Sequence, residues 1–177
     1  MKHNYFKPVL YIVIVVLVIT LLVRHFYIQD FRIITPQTLY VSGQPGGMDY
    51  TRLFYKYHIS TIVNIRSSVE HLKKNWRNEE ILETQKLAIK YVEIPIDKEH
   101  FIPDSQTQVQ FLEIMSESKY LPVLLHGASD DKRAAMLVAV WARKLKGYSL
   151  EDTLVQVQKI IDDRPLTSEE MDFIKSL

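Results

Sequence analysis

Pro122–Ala135 reads PVLLHGASDDKRAA, and this stretch decides the fold. Leu121 to Leu125 is a short apolar run of the kind that fills a strand buried on both faces. His126 to Arg133 is polar and small, the composition of a loop. Ala134 to Lys146 then has the residues of a helix, and Gly147 follows as its C′ residue. Strand, tight loop and helix follow without a linker. In an open parallel sheet such a loop lies beyond the carboxyl end of its strand, where ligands collect.

The unit repeats outward along the chain. Leu39–Ser42 (LYVS) is a strand candidate ending in the turn Gly43-Gln44-Pro45-Gly46-Gly47. Asp49 to Lys56 has the character of a short helix. Ile59 to Ile65 (ISTIVNI) suits a buried parallel strand. Ser67 to Asn78 is polar and is expected to be a loop. Glu79 to Ala88 has helical spacing through Ile81, Leu82 and Leu87, and Lys90 to Ile94 reads as a strand stopped by Pro95. Ser105 is expected to cap a helix running to about Ser116, with Val109, Leu112 and Met115 on one face. Ser149 is expected to cap a helix to about Ile161, with Glu151 and Asp152 at its positive end, and a last helix is expected from Ser168. Strands alternate with helices, so the expected fold class is α/β. Its central sheet is mostly parallel, with helices on both faces.

Before this domain lies a different kind of sequence. Pro8 to Val23, PVLYIVIVVLVITLLV, carries no charge and is bracketed by Lys7 and Arg24. As a helix its sixteen residues rise roughly 24 Å, a little short of a ~30 Å hydrocarbon core. Lys7 and Arg24 can snorkel, and Tyr5, Phe6, Phe26 and Tyr27 suit the interfaces. No small-residue cleavage point follows the run. The expectation is an uncleaved signal anchor: residues 1–29 as a tail and single transmembrane helix, and residues 30–177 as the domain. Positive charge is similar on the two sides, so orientation is weakly set, with a slight preference for the C-terminal domain outside the cytoplasm. Asp30 to Gln37 is read as a connector.

Composition narrows the chemistry. Twenty-two Lys plus Arg stand against 21 Asp plus Glu in 177 residues, which leaves no basic field for a nucleic-acid partner. The chain has no cysteine, so disulfides, thiolate metal sites and thiol nucleophiles are excluded. The neighbouring Asp130 and Asp131 are too common a pattern to indicate a metal, and no metal or cofactor is expected. Arg66, Lys73, Lys74 and Arg77 form a basic cluster, read as a solvated loop able to meet anionic headgroups.

The layout of Pro122–Ala135 closely resembles the phosphate-binding loop of the protein tyrosine and dual-specificity phosphatases: His-Cys, five residues and Arg, set between a strand and a helix. LYVSGQP, ISTIVNIR, YVEIP, PVLLH and the turn Lys146–Ser149 resemble further segments of that family in the same order, over about residues 39 to 160. The resemblance implies a loop of backbone N–H groups and a helix end that cradle phosphate. It also implies an Arg that grips two phosphate oxygens, a low-pKa Cys that attacks phosphorus, and an Asp that protonates the leaving oxygen.

On that resemblance the phosphate-binding set is His126, Gly127, Ala128, Ser129, Asp130, Asp131, Lys132 and Arg133. Arg133 stands at the gripping position and His126 at the loop-orienting one. Asp97 is the candidate general acid, with Asp104 as its rival. Gly127 occupies the nucleophile position and has no side chain, so no phosphoenzyme forms there. Asp130 falls where the family has Gly, and Ala134 where it has Ser or Thr. An acid in an anion loop opposes binding: at ~5 Å and an effective dielectric near 20, unit charges repel by roughly 3 kcal/mol. The resulting expectation is a membrane-anchored, catalytically impaired phosphatase-like protein that binds a phosphoprotein or other phosphorylated or anionic partner. Two alternatives stand beside it. One is a phosphate-ester hydrolase with a non-cysteine nucleophile drawn from Asp97, Asp130 and Asp131. The other is a purely structural interaction domain.

Overall fold

A computed structural model describes residues 6–72, 75–128 and 132–177, without the side chains of 6 and 23–26. The chain enters through helix α1 (Phe6–Phe26), then strands β1 (Arg32–Thr35) and β2 (Leu39–Ser42). Helix α2 (Asp49–Tyr57), β3 (Thr61–Asn64), the short α3 (Ser68–His71), α4 (Trp76–Lys86) and β4 (Lys90–Glu93) follow. The second half holds α5 (Ser105–Ser116), β5 (Val123–His126), α6 (Lys132–Val140), α7 (Leu150–Ile161) and α8 (Ser168–Ser176).

The five strands form one sheet in the order β1-β2-β5-β3-β4. The last four are parallel, and β1 runs antiparallel to β2 at the edge. The sheet is therefore mixed, and the expected connector over Asp30 to Gln37 contains a strand. Its sequence, RIIT, is short, lies beside Pro36 and pairs on one side only, which leaves little pattern to read.

Both faces of the sheet are covered, and strand residues alternate between them. Leu39, Val41, Val63, Val123 and Leu125 face a large core that includes Phe111, Met136, Trp141 and Ile160. Tyr40, Ile62 and Leu124 face a smaller one built on Tyr50, Leu53 and Ile89. Every residue of β2, β3 and β5 is buried, so these strands read as apolar runs and not as alternating ones. Helix α6 is buried from Arg133 through Val140 and forms the spine of the large core. Beyond Val140 the helix loosens into one π-helical segment, Trp141–Leu145, and Gly147 takes a left-handed φ of 66° as expected for the stop.

Several boundaries differ from expectation for physical reasons. Asp104, not Ser105, caps α5, accepting the Thr107 N–H at 2.7 Å. Val109 lies outward at 54% exposure, while Phe111, Ile114 and Met115 face the core. Ser67 to Asn78 is not a loop throughout: it contains α3 and the start of α4. The caps at Ser149 and the helix from Ser168 are as expected.

Helix α1 spans 21 residues, and its described side chains from Val9 to Leu22 are largely exposed. Among the described residues, no helix is long and apolar enough to cross a membrane. The structure shows an exposed apolar helix and does not show the expected transmembrane span.

Candidate functional site at the carboxyl edge of the sheet

Ser42, His126, Asn64 and Glu93 end the four parallel strands, and the pairing register sets them in one row. Leu125 faces the large core, so alternation turns His126, Asn64 and Glu93 toward the layer that holds α4. There they meet Glu80, whose side chain is fully buried. His126 Nε2 lies 2.9 Å from Glu80 Oε1, an ion-pair distance without an aligned N–H, and His126 Nδ1 lies 3.2 Å from the Gly127 carbonyl. Asn64 donates to Glu80 Oε2 at 2.8 Å and to the Tyr91 hydroxyl at 3.0 Å. The Tyr50 hydroxyl shares its proton between Pro45 O at 3.2 Å and Glu80 at 3.3 Å. Tyr91 donates to Glu93 at 2.9 Å, and Glu93 receives Arg77 through Nε and Nη2 at 2.6 and 3.2 Å.

This chain of polar contacts runs from beneath the loop to the surface. Burial alone would raise the Glu80 pKa, but His126, Asn64 and Tyr50 together hold it below the usual carboxylate range. Burial and the Glu80 charge push the phenols of Tyr50 and Tyr91 up, so both stay neutral donors.

The loop itself is held from two sides. Arg66, only 3% exposed, donates through Nε to Gly127 O at 3.3 Å and stacks 4.2 Å from the Trp76 ring. Arg66 is therefore a buried part of the site and not a solvated charge; Lys73 and Lys74 of the same cluster lie outside the described residues. On the other side Gln44 donates its N–H to Ala128 O at 3.1 Å. Gly43 makes a close approach there: a Cβ would stand 3.0 Å from Gln29 Cγ and 3.2 Å from Ala128 O, so a neighbour would have to give way. Ser129, Asp130 and Asp131 lie outside the described residues, and with them the question of where Asp130 points.

Arg133 sits in the first turn of α6 with its side chain 3% exposed. Its guanidinium grips the Glu70 carboxylate with two bonds, Nη1 to Oε2 at 2.6 Å and Nη2 to Oε1 at 3.1 Å. Nη1 also donates to Ile96 O at 2.9 Å. Glu70 belongs to a capping box at the start of α3, where its Oε2 accepts from the Ser67 N–H and hydroxyl at 2.9 and 3.1 Å. Partial burial works against the Glu70 charge, but the Arg133 fork and Ser67 outweigh it and bring its pKa down to about 2. Lys132 is paired as well, lying 2.9 and 3.0 Å from the two oxygens of the buried Glu170 of α8.

Of the acid candidates, Asp97 is exposed and accepts the Glu99 N–H at 2.8 Å, one residue beyond the carbonyl that touches Arg133. Asp104 is committed to its helix cap. Ala134 is fully buried in the core.

Sequence reasoning missed three carboxylates. For Glu70 a signal was present: Ser67-Ser68-Val69-Glu70 is a capping-box spacing inside a stretch read as loop. Glu80 had none, because α4 turns Glu80 and Thr84 inward and leaves Leu82 at 52% exposure, against the usual polarity of a helix face. Glu170 is likewise in an SxxE-like box, Thr167 to Glu170.

A buried strand ending at His126 and an arginine seven positions later, buried in the first turn of the next helix, mark a phosphatase-type α/β domain. Residues 37–175 match the family described as DSP-PTPase phosphatase fused to NAD+ kinase, and the chain belongs to it. It is 26% identical over 115 residues to the tyrosine-protein phosphatase-like protein OCA2 of Saccharomyces cerevisiae, covering 65% of this chain and 56% of OCA2. The chain thus aligns with a little over half of that relative's length. Among solved structures it resembles the catalytic core of the PP-IP phosphatase SIW14 of S. cerevisiae (TM-score 0.64, 16% identity, 83% of this chain and 84% of that one). It also resembles PTPMT1 in complex with PI(5)P (TM-score 0.63, 13% identity, 84% and 94%). At these identities the structures establish the fold.

Proposed function

We propose that this chain binds a phosphorylated or other anionic partner at the loop from His126 to Arg133 without turning it over, and that α1 tethers it to a membrane. One observation carries the binding reading: Arg133 closes a two-bond fork on a carboxylate, at the opening of a helix beyond the carboxyl ends of parallel strands. A fork of that geometry suits phosphate as well as carboxylate. The reading of no turnover is supported by composition, since the chain has no cysteine and Gly127 stands at the nucleophile position. Arg133 supplies the grip, the loop N–H groups complete the cradle, and Asp97 is left without a leaving group to protonate. That PTPMT1 holds PI(5)P supports the ligand class.

The tether reading draws on the apolar run of α1 and on chain distance. Gln29 lies three residues past the end of α1, and its carbonyl accepts the Gly43 N–H at 2.8 Å, next to the bond from Gln44 to Ala128. The loop is therefore close to the point where the chain leaves the apolar helix. A domain held this way would present its loop near the membrane surface.

The test is hydrolysis of p-nitrophenyl phosphate and phosphotyrosine peptides by the detergent-solubilised full chain in metal-free buffer. The expected result is no turnover above background, together with phosphate binding that Arg133→Ala removes. Robust turnover abolished by Arg133→Ala would overturn the reading in favour of hydrolysis without a cysteine. Retention of the full chain in the membrane pellet after alkaline carbonate is expected for the tether, and release into the supernatant would refute it.

A further inference from the structure

We infer that Arg66 is a positioning residue for the proposed anion site. It holds the Gly127 carbonyl turned into the protein, so that the N–H of the same peptide, on Ala128, faces the open side of the loop. The inference rests on the binding role proposed for the loop and adds a residue on which that role depends.

Three observations lead to it. First, the carbonyls at the head of the loop are all taken by neighbouring segments. His126 O accepts the Ile65 N–H at 3.0 Å, Gly127 O accepts Arg66 Nε at 3.3 Å, and Ala128 O accepts the Gln44 N–H at 3.1 Å. A trans peptide is planar, and its C=O and N–H point opposite ways. Arg66 is buried and Ala128 is half-buried, so the Gly127 carbonyl points inward and the Ala128 N–H outward. Second, the donor that holds this carbonyl is itself fixed. The Arg66 backbone N–H donates to Asn64 Oδ1 at 2.9 Å, and Asn64 in turn donates to Glu80, the centre of the buried network. The Arg66 guanidinium stacks 4.2 Å from the Trp76 ring, which sets its plane. Third, this peptide is the one that most needs holding. Gly127 has no Cβ to oppose rotation of the peptide that follows it.

The alternative to the clamped peptide is the flipped one. Turned over, it would place the Gly127 oxygen where the Ala128 N–H now stands. An anion loop works through converging N–H groups, and a carbonyl oxygen among them repels the ligand. A guanidinium donating to the carbonyl opposes the flip more strongly than a neutral donor would. His126 Nδ1 lies 3.2 Å from the same oxygen, on the strand side. Arg66 thus acts through the backbone, whereas the Arg133 guanidinium is proposed to meet the anion itself. Its positive charge also favours an anion nearby, so a test has to separate the hydrogen bond from the charge. Glutamine does so: its side-chain nitrogen lies as many bonds from the backbone as arginine Nε, and it is neutral.

Inorganic phosphate is titrated into the detergent-solubilised full chain at fixed ionic strength, with affinity read by calorimetry and the Ala128 amide by proton–nitrogen NMR. Arg66→Met should weaken binding by about tenfold or more, the scale of a lost charged hydrogen bond, while Arg66→Gln should stay within roughly threefold of the unaltered chain. In the unaltered chain and in Arg66→Gln the Ala128 amide proton should move downfield as phosphate binds; in Arg66→Met it should not. Equal losses in Arg66→Met and Arg66→Gln would overturn the positioning role and leave Arg66 as a plain charge. Undiminished binding by Arg66→Met, with Arg133→Ala still abolishing it, would overturn the role while sparing the binding function. No phosphate binding by the unaltered chain would remove the binding function itself. If Arg66→Met does not fold, Arg66→Gln and the Ala128 signal decide: a downfield shift missing from either remaining chain, with phosphate bound, would refute the inference.

Discussion

The two ends of the loop are each tied to a glutamate, and the two ties differ in kind. At the strand end, His126 meets Glu80 with both side chains at 0% exposure, inside a network with Asn64, Tyr50 and Tyr91. At the helix end, Arg133 meets Glu70 on a four-residue helix with no buried residue. The first tie is locked by its surroundings, since removing either partner strands a buried polar group. The second is a charge pair on a short element with no buried residue of its own, the side chains 3% and 13% exposed. One end is thus rooted in a buried network, and the other in an ion pair with little apolar packing around its glutamate.

The largest expected effect lies at the locked end. Glu80→Ala leaves Asn64 and His126 facing a cavity and should cost about 3–5 kcal/mol, read by urea denaturation of the full chain. If the loss is under 1 kcal/mol, the network is not the root of the loop. Removal of Lys132 tests the intermediate case, a 24%-exposed cation on a buried glutamate. Lys132→Met should cost roughly 1–3 kcal/mol, because Glu170 loses a charged donor; Thr167 still caps it. Tyr50→Phe removes one shared proton from Glu80 and should cost about 1 kcal/mol. The smallest effect is expected at the surface pair of Arg32 with Asp162, at 33% and 59% exposure, where Arg32→Ala should cost under about 1 kcal/mol.

Acid sharpens the same contrast. Glu70 falls from an ordinary value of 4.5 to about 2 in the folded chain, and Glu80 is also depressed. Carboxylates with lowered folded values bind fewer protons when folded, so their contribution is complete above the unfolded value and is lost as pH falls. Stability should therefore decline from about pH 4.5 toward pH 2. The decline should be smaller in Glu80→Gln, where one of the two depressed carboxylates is gone.

Much of this was legible in the sequence because the deciding features are local. The buried strands β2, β3 and β5 carry short apolar runs ending in a polar residue, and the spacing from His126 to Arg133 fixes where the arginine enters its helix. What escaped was long-range pairing. Arg133 and Glu70 are 63 positions apart, and His126 and Glu80 are 46 apart by number; nothing in either segment announces the other. Strand β1 escaped because an edge strand of four residues has one partner and no core pattern of its own. Glu80 is the instructive case, since a charged residue on the inward face of α4 contradicts the patterning rule and marks the polar root of the site.

The central claim is that Arg133 still serves to hold an anion. Crystals of the full chain soaked in sodium tungstate test it most directly. The predicted result is a tungstate ion bonded by Arg133 at the carboxyl edge of the sheet. No anion within bonding distance of Arg133 at saturating tungstate would contradict it.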